Sequence, residues 1–229
     1  MKTQALRACV CYYVRTMRYL LLGLLFMLPV ATHAYVPTFA EPETVDDNPV
    51  VEEMGRYHNF YGELTGFPHM FSISVPYDDT EVRIEILVPK KRGVLGNMSG
   101  ILVKQEERGV SEVTRMHYAD YEWEARRDWS TGDSYLYGGD FTETLGEGEY
   151  FFEVSNGENL GHYVLRVLVG EEEPQEKRRY GQVLIDIVQM KSFMGKSPFS
   201  VLLSPFYAVP TLALLLVGFW WYRRIKRHA

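Results

Sequence analysis

The stretch GEYFFEVSNGENLGHYVLRVLVG, residues 148 to 170, decides the fold that this sequence predicts. Aromatic and branched side chains occupy alternate positions on both sides of a polar, glycine-containing turn. Alternation with a period of two is typical of a strand that buries one face and exposes the other. We therefore expect two neighbouring strands around the turn, with one core faced by Tyr150, Phe152, Val154, Tyr163, Leu165 and Val167.

The same alternation recurs upstream, for example in FSISV at residues 71–75 and in EVRIEILVP at residues 81–89. Turns rich in Gly, Pro, Asn and Asp separate these segments. About seven short strands within residues 56–173 predict a mainly β fold, a single antiparallel β-sandwich of jelly-roll or immunoglobulin-like type. Residues 35–55 contain three prolines and many acids, so we expect a flexible leader before the sandwich.

After residue 173 the apolar period changes to that of a helix. The positions that follow a spacing of three and four residues are Tyr180, Val183, Leu184, Ile187, Val188, Lys191 and Met194. One helix is therefore predicted within residues 174–198, which could pack on the sandwich, lie at a membrane interface or pair with a copy of itself. A last strand at QVLIDIVQM, residues 182–190, is the competing prediction, because this segment is rich in β-branched residues.

The amino-terminal residues 1–34 show the pattern of a signal peptide. Basic residues precede an apolar run from Tyr19 to Val30, and small Thr32 and Ala34 follow it. An uncleaved anchor is the alternative, and Met17 could be the true start. The run is shorter than the roughly 20 apolar residues of a spanning helix, so we expect cleavage after Ala34.

A second apolar run lies near the carboxyl terminus. Residues 199–222 carry no charge, and a basic tail at residues 223–229 follows at once. This order predicts a transmembrane helix at 199–222 whose tail stays in the cytoplasm. Together the two runs predict a type I single-pass protein of the cell membrane with an extracytoplasmic domain.

The charge balance narrows the class of partner. Of the 24 Lys and Arg residues, four lie in the predicted signal peptide and four in the tail, so 16 remain against 30 Asp and Glu in the exported part. This excess of acids excludes nucleic acid as a partner and disfavours an anionic membrane surface. Both cysteines, Cys9 and Cys11, precede the first apolar run, so the mature domain would hold no thiol for a disulfide, a nucleophile or a metal site.

Residues 118–139, YADYEWEARRDWSTGDSYLYGG, concentrate aromatic side chains and arginines on a loop-rich segment. This composition is typical of a surface that recognises a protein or a glycan. The alternative is that the tryptophans fill the core of the sandwich. The predicted binding surface consists of Tyr118, Tyr121, Trp123, Arg126, Arg127, Trp129, Tyr135 and Tyr137.

Metal and catalytic motifs are weak in comparison. Acidic turns offer oxygen ligands of the kind that calcium takes, although no EF-hand or nonapeptide spacing is present. The histidines form no metal-ligand pair, and no nucleophile motif appears. We therefore predict no enzyme, no bound cofactor and no catalytic residue, with calcium as the remaining candidate at Asp78, Asp79, Asp133, Asp140, Glu143 and Glu147.

Seven positions in the opening stretch follow the pattern G-x-Y-x-x-x-V, a polar turn, then G-x-Y-x-L-x-V: Gly148, Tyr150, Val154, Gly161, Tyr163, Leu165 and Val167. This pattern resembles the closing hairpin of pre-peptidase C-terminal-like β-sandwich domains. The upstream segments look similar to uncharacterised membrane-anchored proteins of the bacterial envelope. The resemblance implies a sandwich fold and an envelope location, and it transfers no catalytic residue.

The leading hypothesis is a non-enzymatic single-pass membrane protein whose sandwich binds a protein or a surface polymer in an adhesion, assembly or accessory role. The order of signal, sandwich, helix, anchor and basic tail also resembles transmembrane cargo receptors of the trafficking pathway, although the lumenal cysteine pair of that family is missing. A metal-binding or enzymatic envelope module is the third hypothesis.

Overall fold

The computed structural model describes residues 36–51, 53–128, 131–173, 180–203 and 205–226. The signal peptide predicted for residues 1–34 lies outside the described residues, as does the end of the basic tail. The described part forms eleven strands and two α-helices, α1 at Tyr180–Phe193 and α2 at Pro205–Lys226. The strands are β1 Val36–Ala40, β2 Val50–Val51, β3 His58–Thr65, β4 His69–Val75, β5 Thr80–Pro89, β6 Ser99–Gln105, β7 Val110–Met116, β8 Glu124–Arg127, β9 Ser134–Leu145, β10 Gly148–Ser155 and β11 Leu160–Val169.

The strands form two sheets, which confirms the prediction of a mainly β fold. The six-stranded sheet has the order β1-β3-β11-β5-β9-β8, and the five-stranded sheet has the order β2-β4-β10-β6-β7. Every pair is antiparallel except the two edge pairs β1/β3 and β2/β4, which are parallel. The finer assignment to a jelly-roll or immunoglobulin-like type stays a prediction.

The two strands of the opening stretch are neighbours in sequence but lie in different sheets. β10 pairs with β4 and β6 in the five-stranded sheet, whereas β11 pairs with β3 and β5 in the six-stranded sheet. The expected hairpin is therefore wrong, and residues 156–159 form an arch from one sheet to the other. The predicted inward row is confirmed, because all six of its side chains lie in one buried core.

A local network holds the arch. The Asn156 side-chain oxygen accepts hydrogen bonds from the backbone N–H groups of Glu158 and Leu160, at 3.1 and 3.2 Å. Its amide nitrogen donates to the Leu160 carbonyl at 2.8 Å. Asn159 has a φ of +50°, a left-handed conformation that asparagine tolerates better than most residues, and its carbonyl accepts from Gly66 N at 2.8 Å.

The core lies between the two sheets, in a sandwich-like arrangement. The rings of Phe60 in β3 and Phe71 in β4 have their centroids 4.9 Å apart, and these strands belong to different sheets. The surrounding core consists of aromatic and branched residues from both sheets. Burial of this apolar surface is the main favourable term of folding, so the alternating pattern fixes which face of each strand points inward.

The predicted flexible leader at residues 35–55 differs from the structure. Val36–Ala40 forms β1 alongside β3, and Val50–Val51 forms β2 alongside β4. Phe39 packs on Tyr61 of β3, with ring centroids 5.5 Å apart, and Ala40 is buried. The leader therefore joins both sheets as edge strands, because its few apolar side chains find partners on them.

The helix predicted within residues 174–198 is confirmed as α1, and it packs on the outer face of the six-stranded sheet. Ile187, Met190 and Met194 lie against Tyr61, Leu87, Tyr135 and Val164. The strand alternative for residues 182–190 is wrong. Val188, which the helical spacing assigns to the apolar face, is exposed instead, and Met190 takes its place.

A buried ion cluster fixes this helix to the sheet. Lys191 is 1% exposed, and its Nζ donates to the Asp133 carboxylate at 2.7 Å and to the Thr131 carbonyl at 2.6 Å. Lys196 contacts the other oxygen of Asp133 at 2.7 Å. Asp133, an expected calcium ligand, is therefore committed to two lysines.

The carboxyl-terminal region differs from the predicted span at residues 199–222. Pro198–Leu203 forms a 3₁₀ segment, and α2 begins only at Pro205. Among the described residues, no helix has the combination of length and apolar character that crossing a membrane requires.

We expect Asp133→Ala to destabilise the protein by about 3 kcal/mol, because the substitution leaves the buried Lys191 ammonium without its counter-ion. Urea-induced unfolding, followed by circular dichroism, measures this change. Asp140→Ala, which removes an exposed carboxylate from β9, is the matched control and is expected to stay within about 0.5 kcal/mol of the natural protein. Equal effects of the two substitutions would contradict the role of the cluster.

Candidate binding site

The aromatic segment predicted as a binding surface does not form one continuous surface. Tyr118 lies in a 3₁₀ turn, β8 forms the edge of the six-stranded sheet, and the remainder enters β9. Trp129 lies outside the described residues. Of the seven described members, Tyr118, Arg126 and Arg127 are exposed, and the other four are partly or fully buried.

Trp123 is partly buried and packs against the core. Its ring fills the space beside the backbones of Gly96 and Gly138, where an added Cβ would collide with the indole. The indole N–H donates to the Tyr118 carbonyl at 3.0 Å. Tyr121 covers Gly139 in the same way. Trp123 and Tyr121 therefore have a structural role. Their rings pack against the core in the space that the glycines leave.

The two tyrosines of β9 point to the outer face of the six-stranded sheet. Tyr135 is buried under α1. Tyr137 is half-buried, and the Arg126 guanidinium lies 4.8 Å from the centre of its ring. The Arg166 guanidinium also donates to the Tyr137 hydroxyl at 3.3 Å. Tyr137 thus holds Arg126 in place through a cation–π contact and leaves little of its own ring for a ligand.

A groove of about 350 Å³ opens between the β5–β6 loop and the start of β11. Three large apolar side chains line it and stay exposed: Val94 at 39%, Leu95 at 77% and Leu160 at 55%. Single exposed apolar residues are ordinary, but three in one concave site form a surface suited to a ligand. The first residues of β11, directly after the arch, supply one wall of this groove.

The groove lies where the pairing of β5 with β11 ends. Pairing of β11 with β3 runs back to Leu160, whereas its pairing with β5 begins only at Val164 opposite Leu87. Pro89 has no N–H to continue this ladder, and Lys90 N donates to the Ser134 carbonyl at 2.9 Å. At the start of β11 the Asn156 side chain bonds both the N–H and the carbonyl of Leu160 in place of a strand.

Contacts outside the groove hold the β5–β6 loop in place. Val94 N donates to the Lys91 carbonyl at 3.2 Å and closes a turn. Gly96 lies against the Trp123 ring, and buried Met98 accepts a hydrogen bond from the Asn156 amide at 3.3 Å. The aromatic segment therefore supports the wall of the groove, although sequence analysis predicted that it would contact the ligand itself.

The charged groups at the groove are cationic. Lys91 and His162 line it, and its described lining contains no acidic residue. Glu63 lies just outside, 3.4 Å from the His162 ring. Burial lowers the pKa of His162, and the positive charge of Lys91 lowers it further, while Glu63 opposes both. His162 is therefore neutral near pH 7, and Lys91 carries the positive charge of the site.

Asp78, like Asp133, is a predicted calcium ligand that makes a structural contact instead. Asp78 accepts a hydrogen bond from the backbone N–H of Glu147 at 2.9 Å, which joins two turns. Within the described residues, no group of three or more His, Cys, Asp or Glu side chains is placed to hold a metal ion. Buried His69 contacts the Tyr163 hydroxyl at 2.7 Å, and burial lowers the pKa of this histidine.

We expect stability to fall as the pH drops below about 6.5, since unfolded His69 then takes up a proton that the folded state binds less readily. The unfolded state binds more protons in this range, so the free energy of unfolding decreases. His69→Gln removes this contribution and should flatten the decline between about pH 7.5 and 5.5, measured by urea unfolding. His117→Gln, which alters an exposed ring, should keep the original slope, and a slope unchanged in His69→Gln would contradict the assignment.

Comparison with known proteins finds structural likeness only. No family model matches the sequence, and no curated protein matches it. The structure is similar to the pre-peptidase C-terminal domain of a collagenase from Bacillus anthracis, with 13% identity and a TM-score of 0.31, over 57% of this chain and 98% of that domain. It is also similar to CorA, a surface-associated copper-binding protein of Methylomicrobium album, with 13% identity and a TM-score of 0.20, over 60% of this chain and 98% of that protein. The first belongs to the domain class that residues 148–167 resemble, and likeness at this level carries no argument about function.

Proposed function

We propose that this chain is a non-enzymatic binding module and that a partner protein binds in the groove beside β11. The observation that carries the proposal is the convergence of exposed Val94, Leu95 and Leu160 on one concave site at the end of a sheet. Binding sites combine such an apolar lining with a few polar groups that orient the ligand. The role that fits this arrangement is that of an adhesion, assembly or accessory protein.

A protein partner is favoured over a surface polymer by the chemistry of the lining. Glycans bind on exposed aromatic rings with many hydrogen-bonding groups around them, but the described lining of the groove contains no phenylalanine, tyrosine or tryptophan. The groove instead offers aliphatic side chains and one lysine, which suit an apolar side chain and a negative charge. A surface polymer is therefore an outcome that the experiment below must distinguish.

We also propose that the body is exported and attached to a membrane through its carboxyl-terminal segment. The support is the sequence pattern at both ends and the exposed apolar surface of α2, which includes Leu215, Phe219 and Trp220 before the basic residues. Extraction of cell membranes with alkaline carbonate tests attachment, with retention in the pellet as the expected result. Release into the supernatant would contradict it.

The binding proposal is tested by placing a photoreactive phenylalanine derivative at Leu95 in the full chain and irradiating intact cells. We expect a discrete adduct with one partner protein. The same group at Val110, an exposed residue of β7 outside the groove, is the matched control and should give no such adduct. Leu160→Asp should abolish the adduct at Leu95, because a carboxylate in the apolar wall opposes binding of an apolar group.

Three outcomes of this experiment contradict the proposal. The first is the absence of any adduct at Leu95, and the second is an equal pattern at Leu95 and Val110. The third is an adduct that contains glycan but no protein, which would assign the groove to a surface polymer. Far-ultraviolet circular dichroism of Leu160→Asp should match the natural protein, so that loss of the adduct reports on the groove.

A further inference from the structure

We infer that α1 lies on the surface of the membrane, with its outer side in contact with lipid. This inference rests on the proposed attachment through the carboxyl-terminal segment, and it adds which side of the domain faces the bilayer. Three observations carry it: the uncharged outer side of α1, the bonding of two lysines within the protein, and the path of the chain from α1 to α2.

The outer side of α1 is uncharged and partly apolar. A helix on the surface of a water-soluble protein usually carries charged residues on the side that faces solvent. Asp186, the one acid of this helix, is half-buried. The exposed residues among the described side chains of α1 are Gln182, Ile185, Val188, Gln189 and Ser192.

The two lysines of this region are bonded within the protein. Between residues 187 and 222 the sequence has no acid and only two bases, Lys191 and Lys196. Both contact the buried Asp133 carboxylate at 2.7 Å. An ammonium group is costly to place against the apolar part of a bilayer. Because Asp133 binds both lysines, the outer side of α1 can contact lipid without burying an unpaired charge.

The chain leads from α1 to the proposed membrane segment through a short connection. The 3₁₀ segment Pro198–Leu203 lies against both α1 and α2, and Phe199 within it is exposed. The exposed apolar residues of α2, among them Leu212 and Leu215, follow. Exposed apolar residues therefore continue from α1 through the 3₁₀ segment into α2. A lipid bilayer would cover all three elements together.

This arrangement gives the domain an orientation. Since α1 packs on the outer face of the six-stranded sheet, that sheet faces the membrane and the five-stranded sheet faces away from it. His162, which lines the groove, has its ring 4.9 Å from the ring of Phe193 at the end of α1. A partner bound in the groove would therefore lie close to the lipid surface.

The test places a fluorophore on α1 in the full chain, reconstituted in phosphatidylcholine vesicles. Cys9 and Cys11 are replaced by serine, and Val188→Cys carries an environment-sensitive nitrobenzoxadiazole group. Val110→Cys in β7 is the matched control, because Val188 and Val110 are both exposed, at 47% and 58%. The apolar side of an interfacial helix lies about 5–10 Å deep in the head-group region. We therefore expect lipids with a nitroxide near the head group to quench most of the emission at residue 188 and little at residue 110.

A charge on the outer side of α1 should remove this contact. Ile185→Asp is expected to abolish the quenching at residue 188, because a carboxylate opposes contact with lipid. Val113→Asp, which adds the same charge to an exposed position of β7, is the matched control and should leave the quenching unchanged. Far-ultraviolet circular dichroism of both variants should match the natural protein, since both side chains are exposed. Equal effects of the two substitutions would overturn the inference.

The outcomes separate this inference from the proposed attachment. Retention of the chain in carbonate-extracted membranes, with no lipid quenching at residue 188, overturns the inference and leaves the attachment in place. Equal quenching at residues 188 and 110 also overturns it. Blue-shifted emission at residue 188 without lipid quenching would assign this side of α1 to a second copy or another protein, and would overturn it too. Release of the chain by carbonate removes the attachment together with the inference.

Discussion

The arch at residues 156–159 is the constraint on which the rest of the fold depends. It joins β10 in the five-stranded sheet to β11 in the six-stranded sheet, and both strands have neighbours on either side within their sheets. The Asn156 side chain makes three hydrogen bonds to backbone groups of Glu158 and Leu160, so these groups are satisfied without strand pairing. The arch makes the inward-facing side chains of β10 and β11 face each other. One short segment therefore brings the two sheets together over a common core.

The groove follows from the same geometry. At its start β11 pairs only with β3 among the described strands, since Pro89 has no N–H to extend the ladder with β5. Gly96 of the loop after β5 lies against Trp123, and the apolar residues of this loop line the groove. The buried cluster of Lys191 and Asp133 holds α1 on the outer face of the same sheet, so the groove lies on a well-supported scaffold.

Sequence periodicity predicted the inward row, α1 and about seven strands, because each depends on local alternation or helical spacing. The structure has eleven strands among the described residues, and β9 begins in the segment that was predicted to be rich in loops. It did not predict which sheet each strand joins: adjacency in sequence suggested a hairpin, while the polar network of Asn156 favours an arch. The pairing of the leader was also missed, because β1 and β2 have short apolar patterns and depend on distant partners. For the site, the glycines at 96 and 138 were the usable signal that the Trp123 ring packs closely on the backbone, and Pro89 was the signal that the pairing of β5 with β11 ends.

The most direct measurement of the central claim is amide hydrogen exchange of the full chain with and without the partner protein that crosslinks at Leu95. The account predicts slower exchange in the loop at residues 91–98 when the partner is bound, since the partner would cover this wall of the groove. Exchange in β7 and β8, two edge strands of the sheets, should stay as it is in the free protein. Protection that appears along β7 or β8, with none at residues 91–98, would contradict the assignment of the groove as the binding site.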